Sequence, residues 1–311
     1  LGKSVVGGHK SVVKLITNTG LKTDNDRTNI LLLGTGGPGH DGPNLTDTMI
    51  LASVDKDGKD VALVSIPRDL WSESITAKVN AAYAFGQDKE EGGIALSQKT
   101  IQDIFQMPVH YVIRLDFRGF EKSIDLVSGI DVEVESSFSD PKYPIAGKED
   151  EDCGLKVEEK EENGIKNTYV LDATGSAKLV TEQDDPFTCR YETISFKKGT
   201  VHMDGKTSLK FVRSRHGTNG EGSDFARSAR QQKVIMAFRQ KVTSQETLTN
   251  PKTIADLAKT FGASIDTNIT DEDVPHFVKM FSKIDTGVLR RIVLDSCREE
   301  SVLTVGQPQN Y

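Results

Sequence analysis

Three short apolar runs near the start of the chain constrain its fold more than any other feature. Asn29–Gly34 (NILLLG) is apolar throughout after its first residue and stops at glycine. A run with no polar alternation suits a buried central strand. Thr48–Val54 (TMILASV) and Val61–Ile66 (VALVSI) read as two more strands, joined by the turn Asp55-Lys56-Asp57-Gly58. Helical spacing follows. Ile94, Ile101, Ile104 and Phe105 predict a helix over 94–105. Phe120, Ile124 and Val127 share a face of a helix over 117–128, which Gly129 stops. Met107–Leu115 reads as a strand, and Ile130–Glu135 alternates apolar and acidic residues, the mark of a half-buried strand. Together these elements predict an α/β fold.

The periodicity fades between Ser136 and Lys198. This stretch holds Pro141, Pro144 and the acidic run Lys148–Glu162, and reads as a long surface insert with a short strand at Thr168–Leu171. Beyond it, Asp204 can cap a helix over Gly205–Val212, and Phe225–Val242 forms a longer helix. Asn250-Pro251 opens a helix to Lys259, another runs from Asp273 to Lys283, and Ile292–Leu294 reads as a late strand. Ser296–Tyr311 reads as a fraying tail. The expected division is a linker over 1–28, a main domain over 29–245 containing the insert 136–198, and a C-terminal helical extension over 246–311.

Charge narrows the function. The formal net charge of the 311 residues is −7, which argues against a general nucleic-acid binder. Acid is concentrated between Asp131 and Glu162, with twelve Asp/Glu against four Lys. Against that background Phe211–Gln232 (FVRSRHGTNGEGSDFARSARQQ) stands out: Arg213, Arg215, Arg227 and Arg230 flank a Gly/Asn-rich loop expected to be flexible, with Asp224 among them. The arginine fork matches two oxygens at once, so this cluster reads either as a phosphate site or as a solvated basic helix face. Asp47 and Arg68 lie at strand ends, where open α/β sheets place ligands. The loop before Asp47, TGGPGHDGPNLTDT, is rich in Gly and Pro but lacks the Gly-Lys-Ser/Thr of a P-loop.

The three cysteines fit no zinc spacing. No run approaches the roughly 18 apolar residues of a membrane span. The opening LGKSVVGGHK has no apolar core segment, and the first residue is Leu. A processed protein, or a chain trimmed of an N-terminal anchor, would look like this.

Seven stretches in order resemble the LytR-CpsA-Psr family: LLLG, LTDTMIL, VSIPRDL, KVNAAYAFG, YVIRLDFRGFEKSIDLVSGIDVEV, MDGKTSLKFVRSR and SDFARSARQQ. The resemblance implies a membrane-anchored phosphotransferase on the extracytoplasmic face of the membrane, at the cell wall. Such an enzyme moves a glycopolymer from a polyprenyl diphosphate carrier onto a peptidoglycan hydroxyl. It implies a three-layer α/β/α fold with a central mixed sheet, a hydrophobic tunnel for the prenyl chain, and arginines with magnesium (Mg2+) around the diphosphate. Candidate tunnel residues lie in the 94–105 and 117–127 helices and at Val234, Ile235 and Phe238. A diphosphate hydrolase and a non-catalytic lipid or glycan binder are the alternatives. No nucleic acid is expected as a partner.

Residue by residue, Asp47 in LTDT resembles the magnesium carboxylate; capping a loop is its plainer role. Arg68 in SIPRD resembles the phosphate-holding arginine; an ion pair with Asp69 is its plainer role. Arg213 and Arg215 resemble the RxR pair on the diphosphate. Arg227, Arg230 and Gln231 resemble the RxxRQ stretch, in which Arg230 could instead brace the helix. Asp224 could bind metal, orient an arginine, act as base or simply form a salt bridge. Lys78 and Asn80 could complete the polar wall, though Asn80 could equally be a helix cap. One departure stands out. Many relatives place an aspartate just after the first strand in a Gly-x-Asp pattern, whereas this chain has Gly34-Thr35-Gly36-Gly37; Asp41, seven residues beyond Gly34, could substitute. An extracytoplasmic site permits disulfides. Cys153 and Cys189 bracket most of the insert and are expected to pair, leaving Cys297 free.

Overall fold

The structure is a computed structural model that describes residues 20–40, 42–162, 165–172, 174–181, 184–248, 250, 256, 265–284 and 289–294. Asp41, Cys297, most of the expected linker, the 251–259 helix apart from residue 256, and the 296–311 tail lie outside the described residues. The chain divides into two compact units. The first comprises Leu1–Val132, His202–Leu209 and Ser228–Tyr311; the second comprises Glu133–Val201 and Lys210–Arg227.

In chain order the elements begin with β1 (Arg27–Thr35), β2 (Thr46–Asp55) and β3 (Val61–Ser65). The small hairpin β4 (Trp71–Ser72) and β5 (Ala77–Lys78) runs into a 3-10 turn at Val79–Ala81. Then come α1 (Ala82–Gln87), α2 (Gly92–Phe105), β6 (Tyr111–Asp116), α3 (Phe117–Leu126) and β7 (Ile130–Val134). The insert carries β8 (Phe138–Pro144), β9 (Lys156–Glu162), β10 (Ile165–Leu171), β11 (Ala177–Leu179) and β12 (Tyr191–Phe196). After it follow β13 (Gly199–Met203), α4 (Gly205–Arg213), α5 (Asp224–Val242) and α6 (Gln245–Leu248). The last elements are β14 (Ile265–Thr267), α7 (Val274–Lys283) and β15 (Leu289–Val293).

The first unit is built on a six-stranded mixed sheet in the order β14-β6-β1-β2-β3-β15. The pairs β1/β6 and β3/β15 are parallel; the others are antiparallel. The apolar runs serve both faces because successive side chains point to opposite sides. Ile30, Ile50, Ala52, Val54, Leu63 and Tyr111 face one layer, with Phe277, Met280 and Ile284 from α7 and its end, and Ile235 from α5. Leu31, Leu33, Met49, Leu51 and Val112 face the other, with Tyr83 from α1 and Ile94, Ile101, Ile104 and Phe105 from α2. Burying a side chain such as Leu31 or Ile50, both 0% exposed, contributes roughly 1.5–3 kcal/mol relative to leaving it in water. This is the three-layer α/β/α arrangement that the resemblance implied. The α2 residues named as tunnel candidates, and Ile235, are packed within these layers.

Two boundaries differ from expectation. The strand expected from Met107 starts only at Tyr111, because α2 captures the preceding backbone: Val109 N donates to Gln102 Oε1, and Gln98 Nε2 donates to Val109 O. The stretch 246–311, expected as a helical extension with a late strand at Ile292–Leu294, carries helices and both outer strands of the sheet: β15, which matches the late strand, and β14, which was not expected. The α3 helix starts where Asp116 accepts from Gly119 N, and α4 where Asp204 accepts from Thr207 N. Among the described residues no helix is long and apolar enough to cross a membrane.

The second unit is more ordered than its sequence predicts. Strands β9 and β10 pair along their full length from Lys156↔Leu171 to Glu162↔Ile165, and β11 adds to β10. The sequence KVEEKEE of β9 hides this strand, since its stability comes from the ladder and not from apolar alternation. Strands β8 and β12 pair across Phe138↔Phe196 and bury Phe138, Tyr143, Ile194 and Phe196. The rings of Phe138, Phe196 and Phe211 pack with centroids 5.0–6.0 Å apart. Cys153 and Cys189 form the expected disulfide.

Candidate functional site

In the first unit the site grows from the ends of β1, β2 and β3. The β1/β2 register shifts between Gly34 and Thr35, next to Thr46 and Asp47 at the start of β2. Beyond β3, Leu70 N donates to Pro67 O, so Arg68 and Asp69 sit in a reverse turn. Arg68 Nη1 donates to Asp47 Oδ1 at 2.5 Å, and Arg68 Nε lies 3.5 Å from Asp69 Oδ2. Lys78 Nζ donates to Asp69 Oδ1 at 2.7 Å. The result is an alternating row of charge, Asp47, Arg68, Asp69 and Lys78. The side chains of Arg68 and Asp47 are 32% and 40% exposed, open enough to meet a ligand. The Lys78 hydrogen bond, aided by the charges of Lys78 and Arg68, outweighs burial and holds the Asp69 carboxyl below its ordinary value.

Asn80 lies inside the 3-10 turn and does not cap a helix: α1 starts after Ala81. Its backbone ties the site together, accepting from Thr46 Oγ1 at 3.2 Å and donating to Arg68 O at 3.3 Å. Gln231 Nε2 on α5 donates to Thr48 Oγ1, one residue beyond Asp47, at 2.9 Å. Gln232 Nε2 donates to Ser65 Oγ at 2.9 Å, so α5 is anchored on β2 and β3. Arg230 is only 2% exposed, which suits bracing the helix better than contact with an incoming ligand.

The missing family aspartate has a packing reason. A Cβ at Gly36 would stand 2.8 Å from His40 Cβ. A Cβ at Gly37, where φ is +78°, would stand 2.8 Å from Asp116 Cβ. Neither position accepts a side chain without movement. Asp47 and Asp69 are the partly exposed carboxylates of the charged row, whereas Asp116 at the end of β6 is 8% exposed and caps α3. No group of three or more His, Cys, Asp or Glu able to hold a metal occurs among the described residues. One accessible carboxylate fits magnesium, a hard ion that takes one or two carboxylates and completes its shell with water and phosphate oxygens.

In the second unit Arg213 closes α4, and its Nη1 donates to Tyr143 Oη at 3.5 Å. Asp140, 1% exposed on β8, receives the chain just beyond. Its Oδ2 accepts from Ser214 Oγ (2.7 Å), Arg215 N (3.0 Å) and His216 N (3.1 Å), and its Oδ1 accepts from Lys142 N (2.9 Å). Burial alone would raise the Asp140 carboxyl, but these four bonds outweigh it and hold it below its ordinary value. The Gly/Asn loop, expected to be flexible, is tied down. Thr218 and Ser139 exchange two hydrogen bonds, and Asn219 Nδ2 donates to Ser137 O at 2.7 Å. Arg227 Nη2 meets Asp224 Oδ1 at 2.7 Å across one turn of α5, so the plain salt bridge expected for Asp224 is present. Sequence reasoning missed Asp140 and Tyr143. They stand 70 and 75 residues from Arg213 and Arg215, in a stretch whose periodicity fades.

The chain matches the LytR_cpsA_psr family over residues 5–299. It is 27% identical over 241 residues to the polyisoprenyl-teichoic acid–peptidoglycan teichoic acid transferase TagU of Oceanobacillus iheyensis, covering 76% of this chain and 58% of that protein. It is 24% identical over 249 residues to the protein of the same name from Bacillus cereus, covering 79% and 61%. The aligned part is thus about three fifths of the length of these relatives. Two crystal structures share the fold. B. subtilis TagV has a TM-score of 0.56 at 22% identity, covering 88% of this chain and 86% of that one. B. subtilis TagU has a TM-score of 0.52 at 20% identity, covering 86% and 84%.

Proposed function

The chain belongs to the LytR_cpsA_psr family, and from that membership we propose that it is a phosphotransferase acting in the cell wall. It would move a glycopolymer from a polyprenyl diphosphate carrier onto a hydroxyl of peptidoglycan. The observation that carries this reading is the half-buried Arg68–Asp47 pair at the strand ends, within the motifs LTDT and SIPRD. The teichoic acid transferases among its relatives support the same chemistry. The enzyme would work on the outer face of the membrane, with a membrane anchor N-terminal to the domain. The prenyl chain would lie against apolar side chains of α2, α3 and α5.

In the proposed reaction the acceptor hydroxyl oxygen bonds to the phosphorus that carries the glycopolymer. The bond from that phosphorus to the bridging oxygen breaks, and the electron pair leaves on polyprenyl phosphate. The hydroxyl proton passes to a carboxylate, for which Asp224 is the candidate. Such transfers depend on positioning and charge neutralisation. Asp47 keeps the fork of Arg68 in place before a phosphate arrives, so little reorganisation is needed when charge develops. Arg213, Arg215 and Arg227 are assigned to the donor phosphates, and Lys78 to the polar surroundings of Arg68. Magnesium, held by Asp47 and phosphate oxygens, would neutralise further negative charge.

The test is incubation with a labelled polyprenyl diphosphate glycan, with and without peptidoglycan. Label should move to peptidoglycan, and little should be released without it. Release that ignores the acceptor would make the protein a hydrolase. Binding without turnover would make it a lipid or glycan binder.

A further inference from the structure

We propose that Asp140 is the positioning residue for the Arg213/Arg215 pair, an inference that rests on the assignment of those arginines to the donor phosphates. Asp140 is 1% exposed, and its oxygens accept from one hydroxyl and three backbone amides. A buried carboxylate is tolerated only when its oxygens are saturated, as they are here. Three of the four donors belong to consecutive residues, Ser214, Arg215 and His216. The carboxylate therefore sets the path of the backbone at the point where α4 ends.

That path decides where the two arginines point. Ser214 lies between them, is 0% exposed, and is turned inward onto Asp140. Fixing an inward Ser214 directs the flanking residues to other sides of the chain. Tyr143, 4% exposed and three residues beyond Asp140 on the same strand, bonds the Arg213 guanidinium. Strand β8 thus holds this segment twice, by backbone through Asp140 and by side chain through Tyr143. The paired Ser139 and Thr218 continue the contact into the following loop. Long side chains bind a diphosphate well only if their base is fixed beforehand, and groups that fix a binding residue matter nearly as much as the residue itself.

Asp140→Asn is a sharp test. Both carboxylate oxygens accept in the native protein, but a carboxamide has one acceptor, so its NH2 must face either Lys142 N or the Ser214–His216 donors. The probe is farnesyl diphosphate, with affinity read by calorimetry. Removing a supporting partner of this kind should weaken binding about tenfold or more. Ser214→Ala, which removes one donor and keeps the buried volume, should weaken it less and leaves a readout if Asp140→Asn folds poorly. The decisive measurement is a mutant cycle with Arg213→Ala/Arg215→Ala. If Asp140 acts through the arginines, Asp140→Asn should add little to the loss in that background. If it is merely structural, the same factor should be lost in both backgrounds, and the inference is overturned. Wild-type affinity in both Asp140→Asn and Ser214→Ala would also overturn it. If the wild-type protein itself fails to bind farnesyl diphosphate, the phosphate assignment falls first and this inference falls with it.

Discussion

Replacing Asp47 with alanine should separate stability from activity. Among the described residues the side chain pairs with Arg68, and the two partners are 40% and 32% exposed. A pair this open to solvent contributes about 0.2–1 kcal/mol. The strand around it is held by other contacts. Thr46 bonds Asn80 O, Thr48 accepts from Gln231, and Met49 and Ile50 are buried at 2% and 0% exposure. The unfolding free energy of Asp47→Ala should therefore fall by less than about 1 kcal/mol. The effect on transfer should be far larger, because Asp47 would hold the magnesium and the Arg68 fork, and a preorganised cation or donor at a developing phosphate charge contributes about a hundredfold to a thousandfold in rate. The assay pairs urea unfolding with transfer rate against magnesium concentration. The variant should unfold near the wild-type midpoint, lose most of its rate, and show a flattened response to magnesium. Wild-type rate with wild-type magnesium response would refute the metal assignment and make Asp41 or Asp224 the better candidate.

Three further outcomes are expected. Reducing the Cys153–Cys189 bond, whose sequence separation is 36, should destabilise the second unit by about 4 kcal/mol in the chain-entropy estimate; an unfolding midpoint insensitive to reductant would contradict this. Asp140 has a folded-state carboxyl below its ordinary 3.8, so its contribution is full above about pH 4 and is lost as pH falls through the lowered value. Urea unfolding between pH 6 and pH 2 should show this acid limb in the wild type, and an equally steep limb in Asp140→Asn would rule Asp140 out as its source. Gly205→Ala should destabilise by about 3 kcal/mol, because the new Cβ would stand 2.2 Å from the backbone oxygen of Glu121, which cannot swing away as a side chain can. Gly20→Ala, with nothing within 4 Å, is the control, and similar melting temperatures for the two variants would overturn the clash argument.

Much of the first unit was legible in the sequence. A strand covered on both faces is apolar over most of its length, so β1, β2 and β3 announce themselves in NILLLG, TMILASV and VALVSI. Helices α2 and α3 carry their apolar stripes openly, and Asp204 marks the start of α4 through a local bond. Asp47 and Arg68 were legible as strand-end charges, although their mutual ion pair was not. The expected roles of Arg230 and Asn80 were the least secure, because burial and backbone bonding, not residue type, decide what such side chains can reach.

What the sequence by itself determined is whatever rests on local patterns: the α/β class, the central strands, the Asp204 cap, and the motifs that place the chain in its family. Only the tertiary structure decided the rest. β9 is highly charged and β14 is three residues long, so their partners across the sheet, not their own patterns, make them strands. The glycines at 36 and 37 are explained by the atoms of His40 and Asp116. Asp140 is an unremarked acid in a polar insert until Ser214, Arg215 and His216 close around it from 74–76 residues away. Hydrogen bonds at that separation leave no periodic trace in the chain, and only folding brings donor and acceptor together.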